Sequence, residues 1–387
     1  MPIDPRCVLL LAGLALAGCQ APTAKLGEAD IPAGRTLVTD GIDGRGEVVF
    51  AIADAAAECR APQAWRRAGA DWREAATGAP LAATPCPTVT ARVAADGRTM
   101  AIYDYGAARA EIYRLEGDGF VADGSAAITA MVGSRFPPPG PNLALSADGR
   151  RLLLGALNRN CRTPAAGERY CGVAELFERQ GERWERVATL LPPADRDGFT
   201  RFGQSVALSA DGTVALAGGT GEPGFSGALW VYPLAGAEPA PVQELSLAES
   251  HNGFANAVSW SADGAWLAVG GDQAVHLFQR RGDRFDLARS LPPPDKAAGY
   301  FGETVALSGN GRLLLVGAPR TDCAQGDRCG VAYLFERDRN WALARTIRPT
   351  TNTGDANFGH HLALSPDGRH LAVQGAIIHV FTLAGAP

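Results

Sequence analysis

The sequence predicts an all-β fold, a seven-bladed β-propeller built from four-stranded antiparallel blades. Asp-Gly or Asn-Gly dipeptides recur between short aliphatic runs, and such dipeptides favour the tight turns that join neighbouring antiparallel strands. Successive dipeptides lie roughly 45–65 residues apart, a spacing typical of propeller blades with elaborated loops. The seven turn anchors begin at Asp43, Asp96, Asp148, Asp211, Asp263, Asn310 and Asp367.

The clearest unit lies between residues 300 and 347, where four strands are predicted in succession. Thr304–Ser308 alternates in polarity, Asn310-Gly311 forms a turn, and Arg312–Val316 returns. Val331–Arg337 follows a polar loop, and Trp341–Ile347 completes the set. Proline-rich linkers fall between such units, where proline does not interrupt a hydrogen-bonded ladder.

Composition is compatible with a single large repeat domain. The chain has 387 residues, 46% of them hydrophobic, and its 47 Gly and 26 Pro indicate many turns. The formal net charge is -5, with acidic and basic residues interspersed, which argues against a nucleic-acid-binding surface. We therefore predict one β-propeller domain over residues 19–387, preceded by a signal peptide over residues 1–18.

The N-terminal apolar segment predicts export and lipid anchoring. Cys7–Gly18 is too short to span a bilayer as a stable helix, and the segment ends in Leu-Ala-Gly before Cys19. This ending resembles the bacterial lipobox, which implies lipidation of Cys19. By the same resemblance, Gln20 favours the outer membrane, with the domain facing the periplasm. An ordinary signal peptide cut nearby and a buried core helix are the alternatives.

The remaining cysteines favour disulfide bonds, because their number is even in a chain predicted to be exported. Cys161 and Cys171 occupy the same place in their repeat as Cys323 and Cys329 do in theirs, so we expect pairing within each loop. The last two, Cys59 and Cys86, would then pair with each other. A zinc site is the alternative, but no Cys-x-x-Cys pair or nearby histidine supports it.

The two ends of the chain predict how the ring closes. His360–Phe381 supplies three strands of a last unit, and Thr23–Leu26 resembles the outer strand that this unit lacks. An N-terminal strand that completes the C-terminal blade would close the ring without an exposed edge.

Two short motifs of the unit described above resemble those of the FG-GAP (integrin-type) repeat. Phe301-Gly302 and Gly317-Ala318-Pro319 give both elements in one unit, whereas Phe202-Gly203 and Phe358-Gly359 repeat the first. The units around Asp263 and Asp367 also resemble WD-type or TolB-type blades. Each of these resemblances implies a propeller.

Topology places the long loops on one face of the predicted propeller. Asn158–Cys171, Thr220–Gly227 and Arg320–Cys329 all join strands two and three, and disulfides would reduce the entropy lost when two of them bind. We expect a protein or glycan partner to contact this face, although ordinary solvated insertions are the alternative. The candidate partner-binding residues are Arg159, Arg162, Arg169, Tyr170, Phe199, Arg201, Tyr300, Arg320, Asp322 and Arg328.

Catalytic motifs are absent from the sequence, which has no G-x-S-x-G or H-E-x-x-H pattern and no phosphate-binding glycine loop. We therefore predict no catalytic residue and no cofactor. We also predict no metal, since residues 195–198 (Asp-Arg-Asp-Gly) lack the further oxygen ligands of a calcium loop. The leading hypothesis is a membrane-anchored, non-catalytic interaction module. A periplasmic hydrolase or lyase with a site at the central channel and an envelope-assembly scaffold are the alternatives.

Overall fold

A computed structural model describes the chain from residue 36 to residue 383, with gaps. The described ranges are 36–38, 48–54, 63–68, 71–75, 89–104, 109–117, 119–128, 142–156, 172–193, 201–220, 227–247, 253–271, 273–296, 298–322, 329–349, 358–375 and 378–383. Regular structure in these ranges is β-strand, apart from a 3₁₀ turn at Arg337–Arg339. No helix in them is both long and apolar enough to cross a membrane.

The strands form successive antiparallel sheets, and in each the chain passes directly from one strand to its neighbour. Blade 1 contains β1 (Thr36–Val38), β2 (Val48–Asp54), β3 (Gln63–Ala68) and β4 (Asp71–Ala75). Blade 2 contains β5 (Val89–Val93), β6 (Thr99–Asp104), β7 (Arg109–Glu116) and β8 (Gly119–Ala127). Blade 3 contains β9 (Leu143–Leu145), β10 (Arg151–Ala156), β11 (Val173–Gln180) and β12 (Arg183–Leu190).

The second half of the chain continues the pattern. Blade 4 contains β13 (Ser205–Leu208), β14 (Val214–Thr220), β15 (Gly227–Pro233) and β16 (Gln243–Ser246). Blade 5 contains β17 (Ala257–Trp260), β18 (Trp266–Gly271), β19 (Ala274–Arg281) and β20 (Arg284–Leu291). Blade 6 contains β21 (Thr304–Leu307), β22 (Leu313–Ala318), β23 (Val331–Glu336) and β24 (Ala342–Ile347). The C-terminal sheet contains β25 (Leu362–Leu364), β26 (His370–Gln374) and β27 (Ile378–Thr382).

The prediction of a seven-bladed propeller is wrong. The all-β propeller fold and the four-stranded antiparallel blades are confirmed, but the described residues form six such blades, and the C-terminal sheet has three strands. The error has a physical cause. Each Asp-Gly anchor marks one hairpin of two strands and does not indicate whether a fourth strand is present. Thr23–Leu26, the predicted closing strand, lies outside the described residues.

The anchors of the described blades are turns built by hydrogen bonding. In blade 6, the Ser308 hydroxyl donates to Asn310 Oδ1 at 2.8 Å, and Asn310 Oδ1 accepts the Arg312 N–H at 3.0 Å. The Ser308 oxygen also accepts the Leu313 N–H at 3.0 Å. Side-chain oxygens that bond their own backbone stabilise such turns. The same arrangement recurs at Ser146 and Asp148, Ser209 and Asp211, Ser261 and Asp263, and Ser365 and Asp367.

The Phe-Gly and Gly-Ala motifs meet across the seams between neighbouring sheets. A Cβ on Gly317 of blade 6 would lie 2.0 Å from the carbonyl oxygen of Gly359 in the C-terminal sheet. Gly155 approaches Gly203 and Gly270 approaches Gly302 in the same way, at 1.9 Å and 2.1 Å. Across the first of these seams, the Thr304 hydroxyl also donates to the Gly359 carbonyl at 2.7 Å. Both motifs are therefore packing requirements of the ring, because only glycine admits so close a backbone.

The core consists of apolar layers between adjacent sheets. Phe177, Phe278 and Phe335 are buried there, on third strands whose central residues are buried on both faces of the sheet. His276 and His379 occupy equivalent third-strand positions, opposite Val269 and Val373. Each packs against the phenylalanine that precedes its first strand, at 5.6 Å and 5.3 Å between ring centroids. Repeat geometry therefore accounts for both histidines.

Candidate partner-binding site

The propeller has two faces that differ in their connections. We call the face with the connections from strand two to strand three, and from strand four to the next blade, the long-loop face; Tyr300 and Arg320 lie there. The opposite, short-turn face carries the turns from strand one to two and from strand three to four, including Asn310 and Trp341.

An exposed aromatic residue dominates the described part of the long-loop face in blade 6. Tyr300 precedes Phe301, is 52% exposed and has a backbone φ of 60°. The guanidinium carbon of Arg320 lies 4.1 Å from the centroid of the Tyr300 ring. Such cation–π stacking contributes about 0.5–1 kcal/mol at an exposed site and holds the guanidinium flat on the ring.

The backbone around Arg320 is fixed by its neighbours. The Arg320 N–H donates to the Gly299 carbonyl at 3.2 Å, and a Cβ on Gly299 would lie 2.3 Å from the Arg320 carbonyl oxygen. Thr321 is fully buried, and its hydroxyl donates to the Ala318 carbonyl at 2.8 Å. The Thr321 carbonyl accepts the Gly330 N–H at 3.0 Å. The loop therefore leaves strand β22 in a defined direction.

Two opposite charges flank the buried threonine. Arg320 and Asp322 are both exposed on the long-loop face. Within the described part of the chain, neither side chain forms an ion pair with the other or with a third residue. Within the residues that the structure describes, both charged side chains are therefore exposed to solvent.

The turn that carries Tyr300 rests on a buried aromatic pair. Phe301 packs edge-to-face on Tyr333 at 5.7 Å between ring centroids. Burial raises the pKa of the Tyr333 hydroxyl; the negative charge of Asp295 adds to the rise and the positive charge of Arg348 opposes it. Tyr333 therefore supports the turn as a neutral side chain at physiological pH.

Two polar pairs lie where the first strands of neighbouring sheets begin, each across a different seam. The Gln204 amide donates to Asn256 Oδ1 at 2.9 Å between blades 4 and 5. His360 Nε2 lies 3.5 Å from Glu303 Oε1 between blade 6 and the C-terminal sheet. Among the described residues, no three His, Cys, Asp or Glu side chains are grouped so that they could hold a metal ion.

Sequence reasoning missed both of these pairs. All four residues follow a Phe-Gly or Phe-Ala dipeptide directly, so they share one position of the repeat. Aligning the repeats on that dipeptide would have revealed a shared polar position at the start of the first strands. The pairing itself depends on how adjacent sheets pack, which the repeat alone does not specify.

The structure brings together some of the predicted binding residues and separates others. Tyr300 and Arg320 are in contact, Asp322 follows closely, and Arg201 lies two blades away in blade 4. Cys329 is disulfide-bonded, and its pairing with Cys323 stays a prediction. The following predicted residues lie outside the described residues: Cys19, Cys59, Cys86, Arg159, Cys161, Arg162, Arg169, Tyr170, Cys171, Phe199, Cys323 and Arg328.

Two repeat-family models match the chain. The FG-GAP repeat matches residues 288–335, which include both motifs of blade 6, and the WD domain, G-beta repeat, matches residues 241–279. The resemblance to FG-GAP repeat propellers inferred from the sequence is thereby confirmed. None of the curated proteins compared with the chain matches it.

Solved structures with similar folds are distant in sequence. The β-propeller domain of Cps50 (Swd1) from Myceliophteria thermophila is 13% identical, with a TM-score of 0.64 over 92% of this chain and 100% of that one. Hydrazine synthase from Kuenenia stuttgartiensis is 12% identical, with a TM-score of 0.63 over 94% and 99%. A protein from Lactobacillus plantarum is 18% identical, with a TM-score of 0.55 over 81% and 84%. At these identities the comparison establishes the fold alone.

Proposed function

We propose that this FG-GAP repeat β-propeller is a non-catalytic interaction module that binds a protein through the long-loop face of blade 6. The observation that carries the proposal is Tyr300, an exposed aromatic residue in a backbone conformation that favours glycine.

The equivalent turn of blade 5 has a glycine at this position. The Glu303 N–H donates to the Tyr300 carbonyl at 3.1 Å, and the Asn256 N–H donates to the Gly253 carbonyl at 3.0 Å. Gly253 has a φ of 87°, in the same left-handed region as Tyr300. A non-glycine residue in the left-handed region lowers the stability of the fold by roughly 1–2 kcal/mol, a cost that glycine would avoid. Strain of this kind is typical of sites that act on other molecules.

The chemistry of the exposed pair fits a protein interface. Tyrosine and arginine are enriched at the centres of interfaces, where they supply large contact area and directed hydrogen bonds. Stacking on Arg320 also restricts the tyrosine ring, so less conformational entropy is lost when a partner binds.

A crosslinking pull-down compares the wild-type chain with Tyr300→Gly, which keeps the turn and removes the ring. We expect the wild type to recover a specific protein and the variant to lose it. Leu343→Ala is the matched control, because Leu343 is a large apolar residue that is 40% exposed but lies on outer strand β24. Equal recovery by wild type and Tyr300→Gly would contradict the proposal.

An enzyme is the second candidate, and the Glu303 and His360 pair favours it. A carboxylate 3.5 Å from a partly exposed imidazole has the groups needed for acid–base chemistry. Turnover of a glycan from a panel, abolished by Glu303→Gln and accompanied by no recovered protein, would replace the interaction module with a hydrolase or lyase.

Membrane anchoring through Cys19 is part of the same proposal, and the support for it is the lipobox-like sequence. A lipidated chain would hold the propeller at the bacterial envelope, with the outer membrane favoured. We expect Cys19→Ala to release the protein from the membrane fraction, as measured by fractionation and immunoblotting. Cys7→Ala serves as the control, and unchanged membrane association of Cys19→Ala would refute the anchor.

A further inference from the structure

We propose that the blade 6 surface recognises a bipolar protein segment, in which a carboxylate pairs with Arg320 and a nearby basic side chain pairs with Asp322. The inference rests on the proposed function and specifies the chemistry of the partner.

The Arg320 guanidinium is already held in place before a carboxylate binds. Its guanidinium stacks on the Tyr300 ring at 4.1 Å, and the backbone on both sides is hydrogen-bonded to Gly299 and Gly330. A planar guanidinium held in this way directs its N–H groups outward at its edges, which match the two oxygens of a carboxylate. Because the group is already ordered, little entropy is lost when the ion pair forms.

Asp322 adds a negative charge to the surface beside the positive charge of Arg320. Thr321 is buried between the two charged residues, and Arg320 and Asp322 are exposed beside it without pairing to each other. A partner that neutralises both charges must present an acidic and a basic group side by side. The complementarity therefore fixes the orientation of the bound segment as well as its charge.

The same charges argue against a polyanionic partner. Nucleic acids and other phosphate-rich polymers are bound by uniform basic fields. Here the exposed arginine is accompanied by the exposed Asp322 carboxylate two residues away, and Asp295 lies close enough to influence Tyr333 below the turn. An isolated carboxylate of a protein therefore fits this surface better than a phosphate polymer does.

Selection from a phage-displayed library of random peptides on the immobilised full-length chain tests the inference without a known partner. We expect peptides enriched by the wild type to share an acidic residue with a basic residue close to it. Arg320→Glu should reject them, with affinity for a selected synthetic peptide roughly tenfold or more weaker, and should enrich peptides with a basic residue instead. Asp322→Lys should change the preference at the basic position.

Arg284→Glu is the matched control, since Arg284 is exposed beside a turn of the short-turn face and its reversal changes the net charge equally. Circular dichroism confirms folding of each variant, and Arg320→Lys keeps the charge while removing the planar group, so it should weaken binding less than Arg320→Glu. If Arg320→Glu binds the wild-type peptides with equal affinity, the charge recognition is wrong and the interaction module stands. If the wild type enriches no peptide, both this inference and the proposed function are overturned.

Discussion

Blade 6 carries two aromatic residues with nearly the same unusual backbone, one on each face of the propeller. Tyr300 has a φ of 60° and is 52% exposed on the long-loop face. Trp341 has a φ of 57° and is 5% exposed on the short-turn face. The backbone cost is similar at the two positions, but only one of the rings is buried.

The surroundings of Trp341 explain why the fold tolerates its conformation. Its ring packs edge-to-face on Trp266 at 5.3 Å between centroids, within the apolar layer between blades 5 and 6. Burial of a tryptophan side chain stabilises the fold by more than the roughly 1–2 kcal/mol that a left-handed backbone costs. The Tyr300 ring is half-exposed and gains no comparable burial, so we infer that this residue serves binding.

Substituting both aromatic residues by glycine separates these two roles, and Trp341→Gly should have the larger effect. The change relieves the backbone but leaves a cavity between two blades, so we expect the free energy of unfolding to fall by about 3 kcal/mol or more. Chemical denaturation measures the change. A loss below about 1 kcal/mol would show that the ring is not required for packing.

Protonation of Asp211, in a turn of the short-turn face, should lower the free energy of unfolding by less than Trp341→Gly does. The Ser209 hydroxyl, which donates to Asp211 Oδ1 at 2.6 Å, is the largest cause of a lowered pKa at Asp211, and the Thr213 N–H at 3.0 Å adds to it. Because the folded state favours the carboxylate, this contribution is complete above about pH 4 and is lost as the pH falls through the lowered pKa.

Asp211→Asn removes the charge and keeps the acceptor oxygen, as Asn310 does naturally in blade 6. We expect the variant to lose less stability than the wild type when the pH falls below about 4, by less than about 1 kcal/mol because the group is largely exposed. Urea denaturation at several pH values measures this difference. Identical pH dependence in the two proteins would show that the hydrogen bonds do not depend on the charge.

The repeat units were predictable from the sequence because their signals are local. Alternating polarity and the turn chemistry of Ser308 and Asn310 lie within a few residues of each other, and the structure shows the same hairpin. The blade count was not predictable in this way, since each anchor marks the hairpin of the first two strands and does not indicate whether a fourth strand completes the unit.

The candidate site was predictable only in part. The connection from strand two to strand three identified Arg320, and the linker before strand one identified Tyr300. Their contact depends on the packing of two separate connections, and no glycine signals the left-handed backbone of Tyr300. The pairing of Glu303 with His360 across a seam was missed for the same reason.

The stability of Tyr300→Gly tests most directly the claim that this residue serves binding and not folding. Relief of the left-handed backbone opposes the loss of a half-exposed ring, so we expect a free energy of unfolding within about 1 kcal/mol of the wild type. Chemical denaturation beside Trp341→Gly provides the comparison at a matched backbone angle. A loss as large as that of Trp341→Gly would contradict the account, because Tyr300 would then be required for the fold.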